Sequence, residues 1–467
     1  MINKKENPEM LRKHKAREAK ELKKWEKERQ KPKLKGYGLY ILFLMMLIQC
    51  IDNIATTINT QMQSAIAVGL FQDRLSIMSL LSALSMPILI LSIFYKALAD
   101  RYGRKLLLCI NTLGMGLGLL AVYLAGEIGN IGGAVTYILA SAVIYFFIAN
   151  DTQVLFIMET SDPKKRATNF SVINAVGLLS VVLIPMMRKA FMGSDITRWN
   201  HVYIVPSIVG LVICLLCIFS CRESDVFLES RIAYLKMTDE ERRVAKEEKD
   251  KAQKAKNAQG GVGAAFRYAF NTPQLRWIFI TVVVFGLGAF GLQYYEKIAD
   301  VYYSTEDVTT LLMYYPFGAA AVTFINGFLS DKIGRKKAVV IMAALSFAGF
   351  ALFYLGCSLQ WMPVVAGLAV GLYCGASWGV TDACTIMAGE STPTNLRASM
   401  MSVSTITNMV SKLLAMLVPV ITLLLTHDNY NVLGILCVVG VIPMLAVSLL
   451  ILMFKVKDTA GTNLADL

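Results

Sequence analysis

The sequence predicts an all-α membrane protein of twelve transmembrane helices arranged as two six-helix halves. Three observations lead there. Of 467 residues, 55% are hydrophobic and 17% charged, above the roughly 45–50% apolar share of ordinary globular chains. The charges gather in an N-terminal arm, a central stretch and short junctions. They leave apolar runs of about 20 residues, enough to cross a ~30 Å hydrocarbon layer as helices. Finally, charged residues of the first half recur in the second at one fixed offset.

The apolar runs place spans at 37–60, 75–98, 106–126, 133–157, 167–190, 201–221, 275–298, 308–330, 337–357, 362–386, 398–425 and 431–455. None shows the period-2 alternation of a membrane strand. The junctions sort by charge. One set carries Arg101, Arg104, Lys105, Lys164, Lys165, Arg166, Lys332, Arg335, Lys336, Lys337 and Arg397. The other carries Arg74 and Arg198 among Asp195, Asp300, Glu306, Asp307 and Asp428. Basic residues in short loops stay cytoplasmic. The expectation is a multi-pass plasma-membrane protein, monomeric, with both termini in the cytoplasm. No cleavable signal peptide is expected, because residues 1–36 are charged and the first apolar run is too long.

The organisation read from these patterns is a basic arm over 1–36, bundles over 37–221 and 275–455, a linker over 222–274 and a tail over 456–467. In the arm, Leu11, Leu22 and Trp25 make no wide apolar stripe. It reads as a solvated helix with i,i+4 Glu–Lys pairs, compatible with resting on anionic headgroups. In the linker, Thr238-Asp239-Glu240-Glu241 has the pattern of a helix start and Gln259-Gly260-Gly261-Val262-Gly263 that of a flexible break. All nine cysteines fall inside apolar runs, as packing residues do, rather than at metal-ligand spacings.

The repeat is specific. Asp100 and Asp331, Asp151 and Asp382, Glu159 and Glu390, and Arg166 and Arg397 are each 231 positions apart, and so are Gly103 and Gly334 and Arg104 and Arg335. A fixed offset across four helices marks a duplicated six-helix unit. Gly103 and Gly334 suit a tight turn, and Asp100 and Asp331 can face helix N-termini or the neighbouring arginines. Leu98-Ala99-Asp100-Arg101-Tyr102-Gly103-Arg104-Lys105 and Gly327-Phe328-Leu329-Ser330-Asp331-Lys332-Ile333-Gly334-Arg335-Lys336 resemble the loop motif of major facilitator transporters. The Glu…Pro…Arg pattern after spans 4 and 10 resembles the same superfamily, especially its sugar-porter branch. So do Tyr294-Tyr295, Ser377-Trp378-Gly379, Arg222-Glu223-Ser224 and the tail from Asp458 to Leu464. The resemblance implies a gating network on the cytoplasmic face, made by Asp100, Gly103, Arg104, Glu159, Arg166, Asp331, Gly334, Arg335, Glu390 and Arg397.

Polar residues at membrane depth supply the cavity candidates, because a charge inside a span costs roughly 2.5–3.5 kcal/mol on insertion scales. Asp52 lies mid-span beside Gln49 and Asn53. The sugar-porter branch carries a proton-accepting Asp in this helix, which the resemblance extends to Asp52; alternatively Asp52 hydrogen-bonds nearby backbone or amides. Asp151 and Asp382 either line a cavity from opposite halves or cap loops. Lys412 is mid-span and able to pair with an acid or hold a substrate carboxylate. Asn174, Gln293, Tyr294, Trp378 and Asn408 complete the set. Gly367, Gly371, Gly375 and Gly379 make a smooth face on the tenth span, and Gly286, Gly288 and Gly291 weaken the seventh.

The resemblance therefore implies a secondary active transporter of a small polar organic solute, with protons as co-substrate and no cofactor. The positions where sugar porters grip hydroxyls are Val284, Phe285 and Phe290, so a sugar is not specifically expected. A uniporter or exporter of the same fold, or a sensor that has lost transport, are the alternatives. There is no phosphate-binding loop, and none of the three His lies deep in a span beside an acid or nucleophile. Neither an enzyme nor a nucleic-acid binder is expected.

Overall fold

The computed structural model describes residues 8–30, 36–85, 98–148, 166–193, 195–238, 240–244, 262–393 and 396–459, with scattered positions between 88 and 160 and at 247. Every regular element among them is a helix. Ten are long and apolar enough to cross a membrane, and Asn130–Phe146 is a shorter apolar helix. Spans 8, 9, 11 and 12 occupy Thr305–Ile333, Arg335–Ser358, Arg397–Leu425 and Asn431–Phe454, within three residues of the apolar runs. Leu39, Phe43, Leu139, Phe219, Phe324 and Phe454 are exposed on the outside of the bundle. Such a surface suits hydrocarbon, and helices satisfy their backbone groups there without water.

The first span departs from its expected end. The helix Tyr37–Gln61 kinks at Met62 and continues as Gln63–Phe71 before turning through Gln72 and Asp73, both at positive φ. Gln61, Gln63 and Ser64 look like a polar exit from the membrane. Yet all three are buried, because they meet the second half of the chain, where the Ser64 backbone N–H and hydroxyl both donate to Glu296. The fifth span similarly runs past its expected end, through a π turn at Arg188–Met192 that carries Arg188 inward.

The glycine patterns have distinct outcomes. The seventh span tightens into a 3-10 turn over Gly288–Phe290 between the helices Pro273–Leu287 and Gly291–Tyr302. The Tyr373 hydroxyl donates to the Gly288 carbonyl at 3.0 Å, satisfying a group that the break releases. On the tenth span, Pro363–Glu390, the glycines admit the eighth span's backbone. A Cβ at Gly371 would lie 2.2 Å from the Tyr315 carbonyl oxygen, and one at Gly367 2.3 Å from that of Leu311.

The arm differs from the solvated helix expected. Its helix, Pro8–Gln30, packs on the linker helix Asp225–Lys236, with Trp25 only 6% exposed among Phe227, Leu228, Ile232 and Leu235. Arg231 pairs with Glu21 at 2.8 Å and Arg242 with Glu18 at 2.7 Å. The narrow apolar stripe has a partner of its own width, and the interleaved glutamates serve the linker's arginines. In the linker, Thr238 and Glu241 form a capping box. Thr238 N–H donates to the Glu241 carboxylate at 2.7 Å, and Glu241 N–H donates to the Thr238 hydroxyl at 3.3 Å. Gln259 to Gly261 lie outside the described residues.

Candidate functional site

Each half ends in a charge network on the face of the basic loops. Arg104 donates from Nε and Nη2 to one Glu159 oxygen at 3.1 and 3.0 Å, and from Nη1 to the Ala99 carbonyl at 3.0 Å. The other Glu159 oxygen accepts from the Ser224 hydroxyl. Glu223 caps the third span, Arg104–Ile128, accepting from the N–H groups of Arg104 at 3.0 Å and Lys105 at 3.2 Å. Gly103, at φ 102°, has no room for a Cβ, which would fall 2.2 Å from the Glu223 carboxylate.

The second half repeats this arrangement. Arg335 donates to Glu390 at 3.3 Å, and the other Glu390 oxygen accepts from the Thr459 hydroxyl at 2.5 Å. Asp458 accepts from the Lys336 N–H at 3.2 Å, and Gly334 sits at φ 91°. The Glu223-Ser224 and Asp458-Thr459 pairs play the same parts but are not 231 positions apart, so a search at fixed offset misses them. The usable signal is an acid followed by a hydroxyl just beyond the last span of each half. The side chains of Asp100, Arg166, Asp331 and Arg397, and all of Asp151, lie outside the described residues.

Burial pushes the Glu223 carboxyl above the ordinary glutamate range, against the lowering effect of the Ser224, Lys105 and Arg104 N–H groups. An acid whose folded pKa is raised stabilises the fold below its unfolded pKa and loses that contribution as pH rises through the folded value. The difference in melting temperature between wild type and Glu223→Gln is therefore expected to fall as pH climbs from the ordinary glutamate range toward neutrality. A pH-independent difference would contradict it.

Between the halves lies a cavity of about 310 Å³ lined by Thr56, Thr57, Thr60 and Tyr145 from the first half and Gln293, Tyr295, Trp378 and Lys412 from the second. It shares Ala289, Leu292, Trp378 and Lys412 with a second cavity of about 200 Å³ that reaches Asp382, Asn408 and Ser411. The structure thus brings together Gln293, Trp378, Asp382, Asn408 and Lys412. Tyr294 is buried and lines a small space with Gln293. Asp52 and Gln49 are buried away from these cavities. Gln49 and Asn53 pack at Gly177 of the fifth span, and Asn174 lies one turn earlier on that helix.

The opposite face is closed by contacts between the halves. Arg188 pairs with Glu296 at 2.9 Å, the two side chains 1% and 0% exposed. Arg188 also donates to the Gln61 carbonyl at 2.7 Å. Farther out, Asp428 accepts from the Ser76 N–H at 2.8 Å and hydroxyl at 2.7 Å, and the Tyr430 hydroxyl donates to Asp73. Lys297 lies 3.9 Å from the centre of the Tyr430 ring and 3.1 Å from Asp300. Sequence reading missed Arg188 and Glu296. Arg188 sits beside Lys189 at the expected end of the fifth span and reads there as a loop-boundary residue, and Glu296 follows an aromatic pair at an apparent span end.

The Major Facilitator Superfamily profile matches residues 37–416. The inward-open structure of the xylose transporter XylE from E. coli superposes with a TM-score of 0.64 at 14% identity, over 92% of this chain and 98% of that one. A structure of the nucleoside transporter NupG superposes with a TM-score of 0.66 at 12% identity, over 89% of this chain and all of that one. Mouse facilitated glucose transporter member 2 is 31% identical over 121 residues, 25% of this chain and 22% of its own length. The rat protein is 38% identical over 88 residues, 18% of this chain and 16% of its own. The chain thus spans about a fifth of these curated relatives. The solved structures share its fold.

Proposed function

Because the chain belongs to the Major Facilitator Superfamily, we propose that it is a secondary active transporter, carrying a small polar organic solute across the plasma membrane by alternating access with co-transported protons. The observation that carries this reading is the polar cavity lined from both halves and closed on one face by the buried Arg188–Glu296 pair. A site at the meeting of two repeats, with a seal on one side of it, is what alternating access requires. Asp382 and Lys412 are exposed although they lie roughly 12 and 22 Å along their helices from Glu390 and Arg397, at 1.5 Å per residue. Such exposure deep in the helices suits a cavity open toward the basic-loop face, which we take as cytoplasmic.

Asp52 is the proton site in this reading: a carboxyl 4% exposed in the middle of the first span, where loss of charge by protonation relieves a desolvation cost. The test uses purified protein in liposomes with a pH-sensitive dye and pooled metabolites outside. Solute-dependent alkalinisation outside, abolished by Asp52→Asn, is the expected result. Solute uptake without proton movement, unchanged by the substitution, would establish a uniporter instead.

A further inference from the structure

The geometry points to a zwitterionic solute with an apolar body as the cargo, its carboxylate held by Lys412 and its ammonium by Asp382. Both side chains line the cavity of about 200 Å³ between the seventh, tenth and eleventh spans. The two charges share that lining, and among the described residues neither is closed into an ion pair or hydrogen bond. Two opposite charges in one intramembrane cavity, neither neutralised by contact, offer both ends of a dipolar ion a partner.

The three hydroxyls of that cavity donate within their own helices. The Ser377 hydroxyl donates to the Tyr373 carbonyl at 2.7 Å, that of Thr381 to the Ser377 carbonyl at 3.1 Å, and that of Ser411 to the Thr407 carbonyl at 2.7 Å. A neutral polyol needs many unengaged donors and acceptors around its hydroxyls. Here the seventh span instead presents Val282, Phe285, Ala289 and Leu292. That wall rewards burial of an apolar side chain. Charged ends and an apolar body together describe a neutral α-amino acid with an aliphatic or aromatic side chain. In the adjoining cavity Tyr295 and Gln293 give a larger side chain further contacts.

The inference rests on the transport reading and names its substrate class. The test is thermal stabilisation of the purified full chain by L-leucine, L-methionine and L-phenylalanine, with isovalerate, isoamylamine and D-xylose as single-feature probes. At least one amino acid is expected to stabilise the protein at tenfold lower concentration than isovalerate or isoamylamine. Lys412→Met should weaken amino acid and isovalerate at least tenfold, and Asp382→Asn should weaken amino acid and isoamylamine while sparing isovalerate. Stabilisation by xylose alone, by none of the amino acids, or by an amino acid equally in both variants would overturn it. Liposome uptake separates the two claims. An amino acid that binds but is never carried keeps the site and removes transport. Xylose uptake without amino acid binding keeps transport and removes the zwitterion.

Discussion

Arg188→Met is expected to shift the protein toward the state open on the face opposite the basic loops. The Arg188–Glu296 pair is fully buried and joins the fifth span to the seventh, while Glu296 also accepts twice from Ser64 of the first. In alternating access, contacts that bridge the halves on one face have to part when that face opens. Removing one partner of a buried pair leaves an uncompensated charge, at a cost of about 3–5 kcal/mol. In a two-state protein the cost falls on the closed state alone, since opening lets water reach Glu296. Even half of it would change the access equilibrium by more than tenfold. A cysteine placed at Thr60, on the wall of the central cavity, should react with an impermeant thiol reagent added to that face at least tenfold faster in Arg188→Met than in the parent. The double replacement Arg188→Met with Glu296→Gln should recover much of the closed state, because the charge left alone is gone. Equal labelling rates in all three would remove the pair from the gate.

The second large effect is on stability. Gly371→Val is expected to prevent accumulation of folded protein, or to lower its melting temperature by several degrees. The smallest added atom would lie 2.2 Å from the Tyr315 carbonyl oxygen and 2.9 Å from the Ala319 nitrogen, so the obstacle is backbone rather than a side chain that can turn away. The eighth and tenth spans would have to separate, losing contacts along both helices. Overpacking alone typically costs about 1–3 kcal/mol, and a rigid neighbour places this site at or above the upper end. Gly263→Val, where a Cβ meets nothing within 4 Å, is the matched control. Comparable melting of the two variants would show that the helices yield at little cost.

Much of the fold was legible because membrane helices obey few rules. Apolar length set the spans, loop charge sorted the junctions, and the offset of 231 tied Arg104–Glu159 to Arg335–Glu390. The helix-7 break and the close face of the tenth span followed from glycine alone. The site was legible in part. Trp378, Asp382, Asn408 and Lys412 stood out as polar residues at depth and do share one cavity. Gln49 and Asn53 stood out equally, yet pack at Gly177 of the fifth span, and Asp52 is buried away from both cavities. Depth along a helix can be counted from sequence, but the direction a side chain faces depends on which neighbour packs there.

What the sequence determined by itself is therefore the architecture: helices, their order, their duplication and the motif positions at each loop. Those are properties of single segments against a uniform solvent, and a segment's own residues carry them. Tertiary structure alone decided which charges meet. Ser64 and Glu296 are 232 positions apart in different halves, and neither belongs to a repeated motif that would announce the pairing. It also decided that Trp25 is covered by the linker helix, because an apolar stripe on an isolated helix does not say what will bury it. Contacts between halves depend on the shape of both partners at once, and that information exists only after the chain has packed.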